Sequence, residues 1–336
     1  MQFKRISLGC LVTLGLLNAC GPSSNSSAAK ETPSAVPVIL DTDIGPDYDD
    51  VGAMAVLHAL ADSGYAMPVA VVASNANEFT VPVIDVLNTY FGRPHLPTGG
   101  PKSAGAPNMT SPQGWPQLLV EKYPHQAQPG AEVPDATRTY REVLALQPDT
   151  SVTIITVGFL TNLANLLESP PDAASPLSGK ELIGKKVKRL VSMAGKFPEG
   201  REYNVFVDST ASEKVFGQWP TEIIFSGFEI GRDVITGLPL INDATVDSPV
   251  KAAYAKAIAF SKSDSAGRNS WDQTAVLVAI KGASPYYDLQ KGRYVAKGGN
   301  NSWVNDPAGP HAYLVPRMPV PQVTALIEAL MHHQKK

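Results

Sequence analysis

The chain has 336 residues, a formal net charge of -3 and an apolar fraction of 43%, which is ordinary for a globular protein with a sizeable core. This charge balance lacks the basic excess that is typical of nucleic-acid-binding proteins. The length allows two domains, but no Pro/Gly/Ser-rich linker follows residue 36, so we predict one domain with one core.

The first 19 residues have the pattern of a signal peptide. Two basic residues precede an apolar stretch, residues 6–17, that is too short to span a bilayer. Residues 17–20 resemble the lipobox of bacterial lipoproteins, in which cleavage before the cysteine, here Cys20, leaves its thiol to carry lipid. Gly21 resembles the signal that sorts such proteins to the outer membrane. Ordinary secretion, with a cysteine near the cleavage site by chance, is the alternative.

The cysteine content agrees with this interpretation. Cys10 lies in the predicted signal peptide and Cys20 would be lipidated, so the mature domain would hold no free thiol, no disulfide and no zinc site built on thiolates. Residues 20–35 contain few apolar side chains, which predicts a flexible tether. We therefore predict an exported, periplasm-facing lipoprotein that is anchored to the outer membrane through Cys20 alone, with its folded domain over residues 36–336.

After the tether, short β-branched runs alternate with amphipathic segments. Strands are predicted, in chain order, at residues 36–40, 69–73, 152–156, 187–193 and 222–225. Helices are predicted at residues 50–61, 160–167, 252–260, 271–280 and 320–332, and residues 293–315 look like short strands and turns. This order predicts an α/β fold, a single domain in which helices flank a mostly parallel central sheet. Ligands of such sheets bind outside the carboxyl ends of the strands.

The first strand leads into a loop with five carboxylates within ten residues: Asp41, Asp43, Asp47, Asp49 and Asp50. Such crowded like charges repel one another unless a cation or a proton relieves them. Because no imidazole or thiolate is nearby, a hard cation such as calcium or magnesium is favoured over zinc. Asp49 and Asp50 also suit the positive end of the helix that follows, so a solvated acidic turn is the alternative.

A phosphate-transfer site is a further alternative for this loop, because haloacid-dehalogenase phosphatases have a similar strand followed by two aspartates. Those enzymes place Thr or Val where Gly45 stands here. The additional carboxylates of Asp47, Asp49 and Asp50 would also repel an incoming phosphate. The loop is not an EF-hand either, since its glycine is misplaced and no glutamate closes a twelve-residue loop.

Four ordered motifs resemble those of the inosine-uridine-preferring nucleoside hydrolase family across residues 36–281. They are Asp-Thr-Asp-Ile-Gly-Pro-Asp-Tyr-Asp-Asp at 41–50, Thr-Val-Gly-Phe-Leu-Thr-Asn at 156–162, Met-Ala-Gly at 193–195 with Glu202, Tyr203, Asn204 and Asp208, and Trp-Asp-Gln at 271–273. The resemblance implies a Rossmann-resembling fold. It also implies calcium-dependent hydrolysis of the N-glycosidic bond of ribonucleosides, which yields free base and ribose by way of a metal-activated water.

The resemblance implies roles for individual residues. Asp43 would be the general base and a calcium ligand, together with Asp50, the main-chain carbonyl of Thr156, and Asp272. The substrate would be bound by Asp49, Asn75, Glu202, Asn204 and Trp271. Asp41 would support the metal ligands, and Asp47 receives no role.

One departure from the family concerns Trp271. Purine- and pyrimidine-cleaving members place a histidine there, which protonates the departing base; an indole cannot supply that proton but can stack on an aromatic leaving group. Tyr203, Phe228 and Arg268 could line the base pocket. Two alternatives stay open: a hydrolase of another ribosyl compound, or a non-catalytic periplasmic lipoprotein that binds nucleosides or ribose. Since family members are usually dimers or tetramers, a homodimer or homotetramer is expected.

Overall fold

The computed structural model describes residues 35–335. The predicted signal peptide, the anchor at Cys20 and all of the tether except Ala35 lie outside the described residues. The described residues fall within one compact unit, which agrees with the single predicted domain. Among the helices of the described part of the chain, none has both the length and the apolar composition needed to cross a membrane.

The described residues form eleven strands, numbered in chain order. They are β1 (Val36–Thr42), β2 (Ala66–Ala73), β3 (Val152–Thr156), β4 (Val187–Met193), β5 (Glu199–Gly200), β6 (Glu222–Ser226), β7 (Ile235–Thr236), β8 (Arg268–Asn269), β9 (Tyr287–Lys297), β10 (Asn300–Asn305) and β11 (His311–Pro316).

The same residues form thirteen α-helices and one short 3-10 helix, Lys262–Asp264. The α-helices are α1 (Asp49–Asp62), α2 (Thr80–Tyr90), α3 (Trp115–Lys122), α4 (Ala136–Ala145), α5 (Thr161–Glu168), α6 (Gly179–Lys186), α7 (Tyr203–Val207), α8 (Ser209–Gln218), α9 (Phe228–Arg232), α10 (Leu238–Asn242), α11 (Pro249–Phe260), α12 (Trp271–Lys281) and α13 (Val320–Met331).

Nine strands form one sheet in the order β2-β1-β3-β4-β6-β11-β9-β10-β5. The six strands from β2 to β11 pair in parallel, whereas β9, β10 and β5 continue the sheet antiparallel. In the parallel part, Leu40 lies level with Val71 on one side and with Ile155 on the other. A separate pair, β7 and β8, is antiparallel. The mostly parallel central sheet is therefore confirmed.

The sheet separates the hydrophobic core into two clusters, one on each face. Side chains alternate along β1: Val38 and Leu40 pack in the cluster with α1, α11, α12 and α13, whereas Ile39 packs in the cluster with α4, α5, α6 and α8. The single core expected from the sequence is thus wrong in detail, because helices cover both faces of a parallel sheet and each face needs its own apolar layer.

The predicted elements agree best among the strands that are entirely or largely buried. Strands β3 and β4 have the predicted bounds, and β1, β2 and β6 extend the predicted ones by one to three residues. The predicted helices are found with shifted ends. Helices α2, α3, α4 and α6 to α10 are not among the predicted helices. The strands expected at 293–315 correspond to β10 and to parts of β9 and β11, and β9 alone has 11 residues.

Candidate active site

The carboxyl ends of the parallel strands open onto one cavity of about 490 Å³, part of it continuous with solvent. The cavity is lined by Asp43, Pro46, Asp47, Asp49, Val157, Met193, Glu202, Tyr203, Asn204, Phe228, Trp271 and Asp272. The four motifs of the sequence therefore meet at the edge of the sheet where a ligand was expected.

Glycine permits the close approach of the loops around this cavity. A Cβ atom on Gly158, which follows β3, would lie 2.5 Å from the backbone nitrogen of Asp43. A Cβ atom on Gly231 would lie 2.3 Å from the Cα atom of Trp271. Only glycine lets the segment after β3 pack against the acidic loop, and α9 against the start of α12.

The acidic loop places three carboxylates against one another, of which those of Asp49 and Asp50 are buried and that of Asp47 is half-exposed. Carboxylate oxygens of Asp47, Asp49 and Asp50 all lie within 4.8 Å of one another. Asp50 also accepts a hydrogen bond from the Thr42 hydroxyl. Asp272, at the start of α12, shares the cavity with Asp43, although 229 positions separate them in the sequence (272 minus 43).

The electrostatics of these carboxylates show how closely they are grouped. Burial raises the pKa of Asp43 well above its usual value, and the charges of Asp50, Asp47 and Asp49 raise it further. Burial also raises the pKa of Asp272, as do the charges of Asp49 and Asp50. Each carboxylate is hard to ionise next to the others unless positive charge is added. A set of buried carboxylate oxygens without sulfur or imidazole fits a hard dication.

Thr156 ends β3 and lies level with Asp41 of β1. Its side chain is buried, and its hydroxyl oxygen has no hydrogen-bond partner among the described residues. The residue does not line the cavity. The main-chain ligand role predicted for Thr156 therefore stays a prediction, and only its place at the carboxyl edge agrees with it.

Arg268 supplies positive charge to one side of the acidic loop. Its Nη2 atom lies 2.6 Å from Oδ2 of Asp47 and 2.7 Å from Oδ1 of Asp49. Its Nε atom donates a second hydrogen bond to the same Asp49 oxygen at 3.1 Å. Burial raises the pKa of Asp49 to about 7, while the charge of Arg268 lowers it. Asp49 lines the cavity, with one carboxylate oxygen held by the guanidinium.

Glu202 and Asn204 reach the cavity from the short helix α7. The Glu202 carboxylate caps this helix and accepts hydrogen bonds from the backbone amides of Asn204 at 2.9 Å and Val205 at 3.1 Å. Burial raises the pKa of Glu202 to about 7. The Asn204 amide donates to the carbonyl of Val157 at 3.0 Å. Both side chains are thus fixed in place by the backbone before any ligand binds.

Asn75 fastens the acidic loop, and the ribose contact predicted for it stays a prediction. Its amide nitrogen donates to the carbonyls of Asp43 at 3.2 Å and Met109 at 3.0 Å, and its amide oxygen accepts from the Met109 amide at 2.9 Å. The side chain is buried and does not line the cavity. It fastens the acidic loop to the chain near residue 109, and a ribose contact would require it to leave these partners.

Trp271 forms one wall of the cavity together with Phe228. The two rings are stacked, with centroids 5.3 Å apart. The indole N–H donates to the carbonyl of Phe228 at 2.7 Å, so the ring is held in a fixed orientation. The side chains that line the cavity include no histidine. His58 and His311 are buried in the structure, where they contact Asn88 and the backbone amide of Tyr294.

Asp41 supports the edge of the sheet from the other side of β1. It accepts hydrogen bonds from the Tyr140 hydroxyl at 2.8 Å and the Asn162 amide at 3.1 Å. Asn162 also donates to the carbonyl of Ala73 at the end of β2, at 2.8 Å. This network ties β1, β2 and α5 together, which agrees with the supporting role expected for Asp41.

The sequence does not predict the places of two residues, Asp47 and Arg268, among the carboxylates of the cavity. Asp47 received no role, yet it belongs to the tight carboxylate group and lines the cavity. Arg268 was considered only for the base pocket, whereas the structure pairs it with Asp47 and Asp49. The crowding of carboxylates in the loop predicts a cation or a proton that relieves their repulsion. Sequence spacing does not show that the side chain of Arg268 lies beside them.

Comparisons with known proteins agree with the motifs. A family model described as inosine-uridine preferring nucleoside hydrolase matches residues 38–306. Pyrimidine-specific ribonucleoside hydrolase RihA of Enterobacter sp. (strain 638) is 28% identical over 245 residues, which cover 67% of this chain and 71% of that protein. RihA of Salmonella paratyphi B (strain ATCC BAA-1250 / SPB7) is 29% identical over 211 residues, which cover 58% of this chain and 61% of that protein, less than two thirds of it.

A solved structure described as the plant nucleoside hydrolase PpNRh1 has the same fold. It superposes with a TM-score of 0.65 at 19% sequence identity, and the match covers 88% of this chain and 99% of that one. At this identity the likeness supports the fold alone. The expected α/β architecture is thereby confirmed by an independent structure.

Proposed function

Because this chain belongs to the inosine-uridine preferring nucleoside hydrolase family, we propose that it cleaves the N-glycosidic bond of ribonucleosides to free base and ribose with the help of calcium. One observation carries the proposal: Asp43, Asp49, Asp272 and Glu202 line the same cavity as the stacked ring of Trp271. Carboxylates for a cation and a sugar thus lie beside an aromatic wall for a base.

The cation would be held by Asp43, Asp50, Asp272 and the carbonyl of Thr156. An oxygen-only donor set of this kind suits calcium, which accepts six to eight oxygen ligands with flexible geometry. When bound there, the cation would supply Lewis-acid chemistry, which lowers the pKa of a water molecule so that it can serve as the nucleophile. It would also relieve the repulsion that raises the pKa values of Asp43 and Asp272.

Asp43 is the proposed general base. It follows β1 directly, lines the cavity, and is 6% exposed. Gly158 packs against its backbone, which leaves the carboxylate little freedom to turn away from the cavity. A base held in one place can take a proton from the attacking water without first reorganising its surroundings.

Three further polar side chains would orient the ribose. Asp49 presents a carboxylate whose Oδ1 atom is already held by Arg268, and Glu202 and Asn204 are fixed by the backbone of α7 and its neighbours. Sugar hydroxyls can donate to the two carboxylates and exchange hydrogen bonds with the amide. Such preformed positions reduce the entropy that is lost on binding.

The leaving group would lie against Trp271 and Phe228. An aromatic base gains stacking energy on such a wall, but the indole N–H already donates to the Phe228 carbonyl. Trp271 therefore does not protonate the base. This favours a second candidate function, hydrolysis of another ribosyl compound whose leaving group departs without help from a histidine.

The proposal is tested by incubating the purified protein with calcium and a panel of purine and pyrimidine nucleosides, and measuring free base and ribose. Release should be abolished by a chelator, restored by added calcium, and lost in Asp43→Asn. Asp135→Asn is the matched control, because Asp135 only caps α4 and asparagine caps a helix about as well. Tight nucleoside binding without any turnover would instead support a binding protein and contradict the enzyme.

We also propose that the protein is anchored to the outer membrane, facing the periplasm, by lipid on Cys20. The support is the lipobox-like sequence at residues 17–20 and Gly21. Labelled fatty acid should be incorporated into the wild-type chain but not into Cys20→Ser. Incorporation into both proteins, or into neither, would contradict the anchor.

A further inference from the structure

Arg268 is a partly buried cation that contacts two members of the carboxylate group formed by Asp47, Asp49 and Asp50. Its side chain is 13% exposed and lies 2.6 Å from Asp47 and 2.7 Å from Asp49. No contact within ion-pair distance joins a lysine, arginine or histidine of the described residues to Asp50, nor to Asp43 or Asp272. The positive charge is thus placed on one side of the acidic site only.

Several features hold the guanidinium in this place. Arg268 begins β8 and lies level with Thr236 of β7. The guanidinium carbon is 5.2 Å from the ring centroid of Tyr48 and 5.1 Å from that of Trp271. Contacts of this kind between a guanidinium and aromatic faces are attractive, more so when water is excluded. Moving the side chain away would therefore break two ion pairs and two aromatic contacts.

We infer that Arg268 is a positioning residue that divides the acidic site into two parts. It reserves Asp47 and Asp49 as an internal ion pair, so that a cation binds only at Asp43, Asp50 and Asp272. The other oxygen of Asp49 is then left for the sugar. The inference rests on the proposed function for the identity of the cation site and of the sugar.

The physical reason is competition for the same oxygens. A dication that bound Asp47 and Asp49 would have to displace a largely desolvated guanidinium that is hydrogen-bonded to Asp49 and ion-paired with Asp47. Asp43, Asp50 and Asp272 carry no such partner, so their mutual repulsion is relieved by the incoming cation itself. Arg268 also lowers the total negative charge near the site by one, which weakens the attraction for any cation.

Replacing Arg268 by an uncharged residue and replacing it by lysine, which keeps the charge but not the planar guanidinium, should have different effects. Arg268→Met leaves Asp47 and Asp49 uncompensated, and we expect it to bind calcium about tenfold more tightly than wild type. Arg268→Lys keeps the charge but cannot hold both carboxylates through a planar fork. We expect near wild-type calcium affinity in this variant, with KM for a nucleoside raised about tenfold and kcat changed less.

The experiment is a calorimetric calcium titration of chelator-treated full-length wild type, Arg268→Met and Arg268→Lys, after circular dichroism has shown that each is folded. Arg138→Met is the matched control, because Arg138 pairs with Glu142 at 2.7 Å on the surface with 72% of its side chain exposed. The control should match wild type in calcium affinity and in KM.

Tighter calcium binding by Arg268→Met with unchanged affinity in Arg268→Lys supports the inference. A folded Arg268→Met whose affinity equals or falls below that of wild type overturns it. If Arg268→Met does not fold, Arg268→Lys decides: a raised KM at unchanged calcium affinity supports the inference, and a wild-type KM overturns it. A wild-type protein that binds no calcium counts against the proposed cofactor, which separates that failure from failure of the role of Arg268.

Discussion

The carboxyl edge of the parallel strands and the antiparallel part of the large sheet bury different kinds of side chains. At the carboxyl edge of β1, β3, β4 and β6, the buried side chains include carboxylates whose charges oppose one another. In the antiparallel extension of β9, β10 and β5, the packing is aromatic. Phe197 stacks on Tyr313 with ring centroids 4.4 Å apart, and Trp303 and Tyr294 lie within 5.5 and 5.9 Å of the same ring.

The antiparallel strands β9, β10 and β5 hold in place the loop that leads to Glu202 at the carboxyl edge. Phe197 belongs to the loop between Gly195 and Glu202, so the aromatic cluster holds the segment that leads to Glu202. Asn301 of β10 exchanges two hydrogen bonds with the backbone of Lys196, each of 2.8 Å. β10 also pairs with β5, which lies in the same loop. The comparison indicates that unfavourable electrostatics are confined to the edge where chemistry is proposed, while ordinary packing holds that edge in place.

The variant Asp272→Asn, which removes one negative charge from the carboxyl edge of the sheet, has the largest expected effect. We expect kcat/KM for nucleosides to fall about 1000-fold, since the cation loses a ligand. In chelator, however, the variant should be more stable than wild type, with Tm higher by roughly 2–4 °C, because the repulsion with Asp49 and Asp50 is reduced. Thermal unfolding with and without calcium measures both effects.

A lower Tm of Asp272→Asn in chelator would contradict the view that the edge is electrostatically strained. Asp208→Asn is the control, because the Asp208 carboxylate accepts hydrogen bonds from Thr161 and the backbone of Leu160. Replacing a carboxylate that has its own donors should lower stability with calcium present and absent alike.

The aromatic wall of the edge is tested by Trp271→Ala. We expect KM to rise about tenfold and kcat to fall less, because stacking on the base is made in the bound substrate as well as in the transition state. Steady-state kinetics on a purine and a pyrimidine nucleoside measure the split. Equal losses in kcat and kcat/KM would show that the ring acts mainly in the transition state.

The smallest expected effect lies in the extension. Asn301→Ala removes both hydrogen bonds to Lys196 and should raise KM roughly threefold by loosening the loop before Glu202, at a stability cost of about 1 kcal/mol. Asn300→Ala is the matched control, since Asn300 is exposed and donates only to the carbonyl of Gly298. Identical kinetics for the two variants would show that the extension does not position Glu202.

Much of the parallel part of the fold follows from the sequence. β3 is a fully buried, mostly apolar run that ends shortly before Gly158, and β4 is largely buried and ends shortly before Gly195, so their bounds could be predicted. The acidic loop could be predicted as a cation site because its charges are crowded along the chain itself. The meeting of Asp43 with Asp272 followed only from the family resemblance, since no local pattern links them.

The remainder depends on contacts between distant parts of the chain. Arg268 and Asp49 are 219 residues apart, and nothing near either residue indicates their pairing. Asn75 resembled a sugar-binding asparagine, but the loop that its amide fastens, near Met109, belongs to a stretch with no predicted elements. The long strand β9 has mostly exposed side chains, so it lacks the buried apolar run by which the other strands were predicted.

The central claim, that Asp43, Asp50 and Asp272 form one cation site, is tested most directly by calorimetric calcium titration of Asp43→Asn, Asp50→Asn and Asp272→Asn. We predict one calcium ion bound per wild-type chain, an affinity lower by roughly 100-fold in each of the three variants, and no such loss in Asp208→Asn. Wild-type affinity in any folded member of the three would contradict the account.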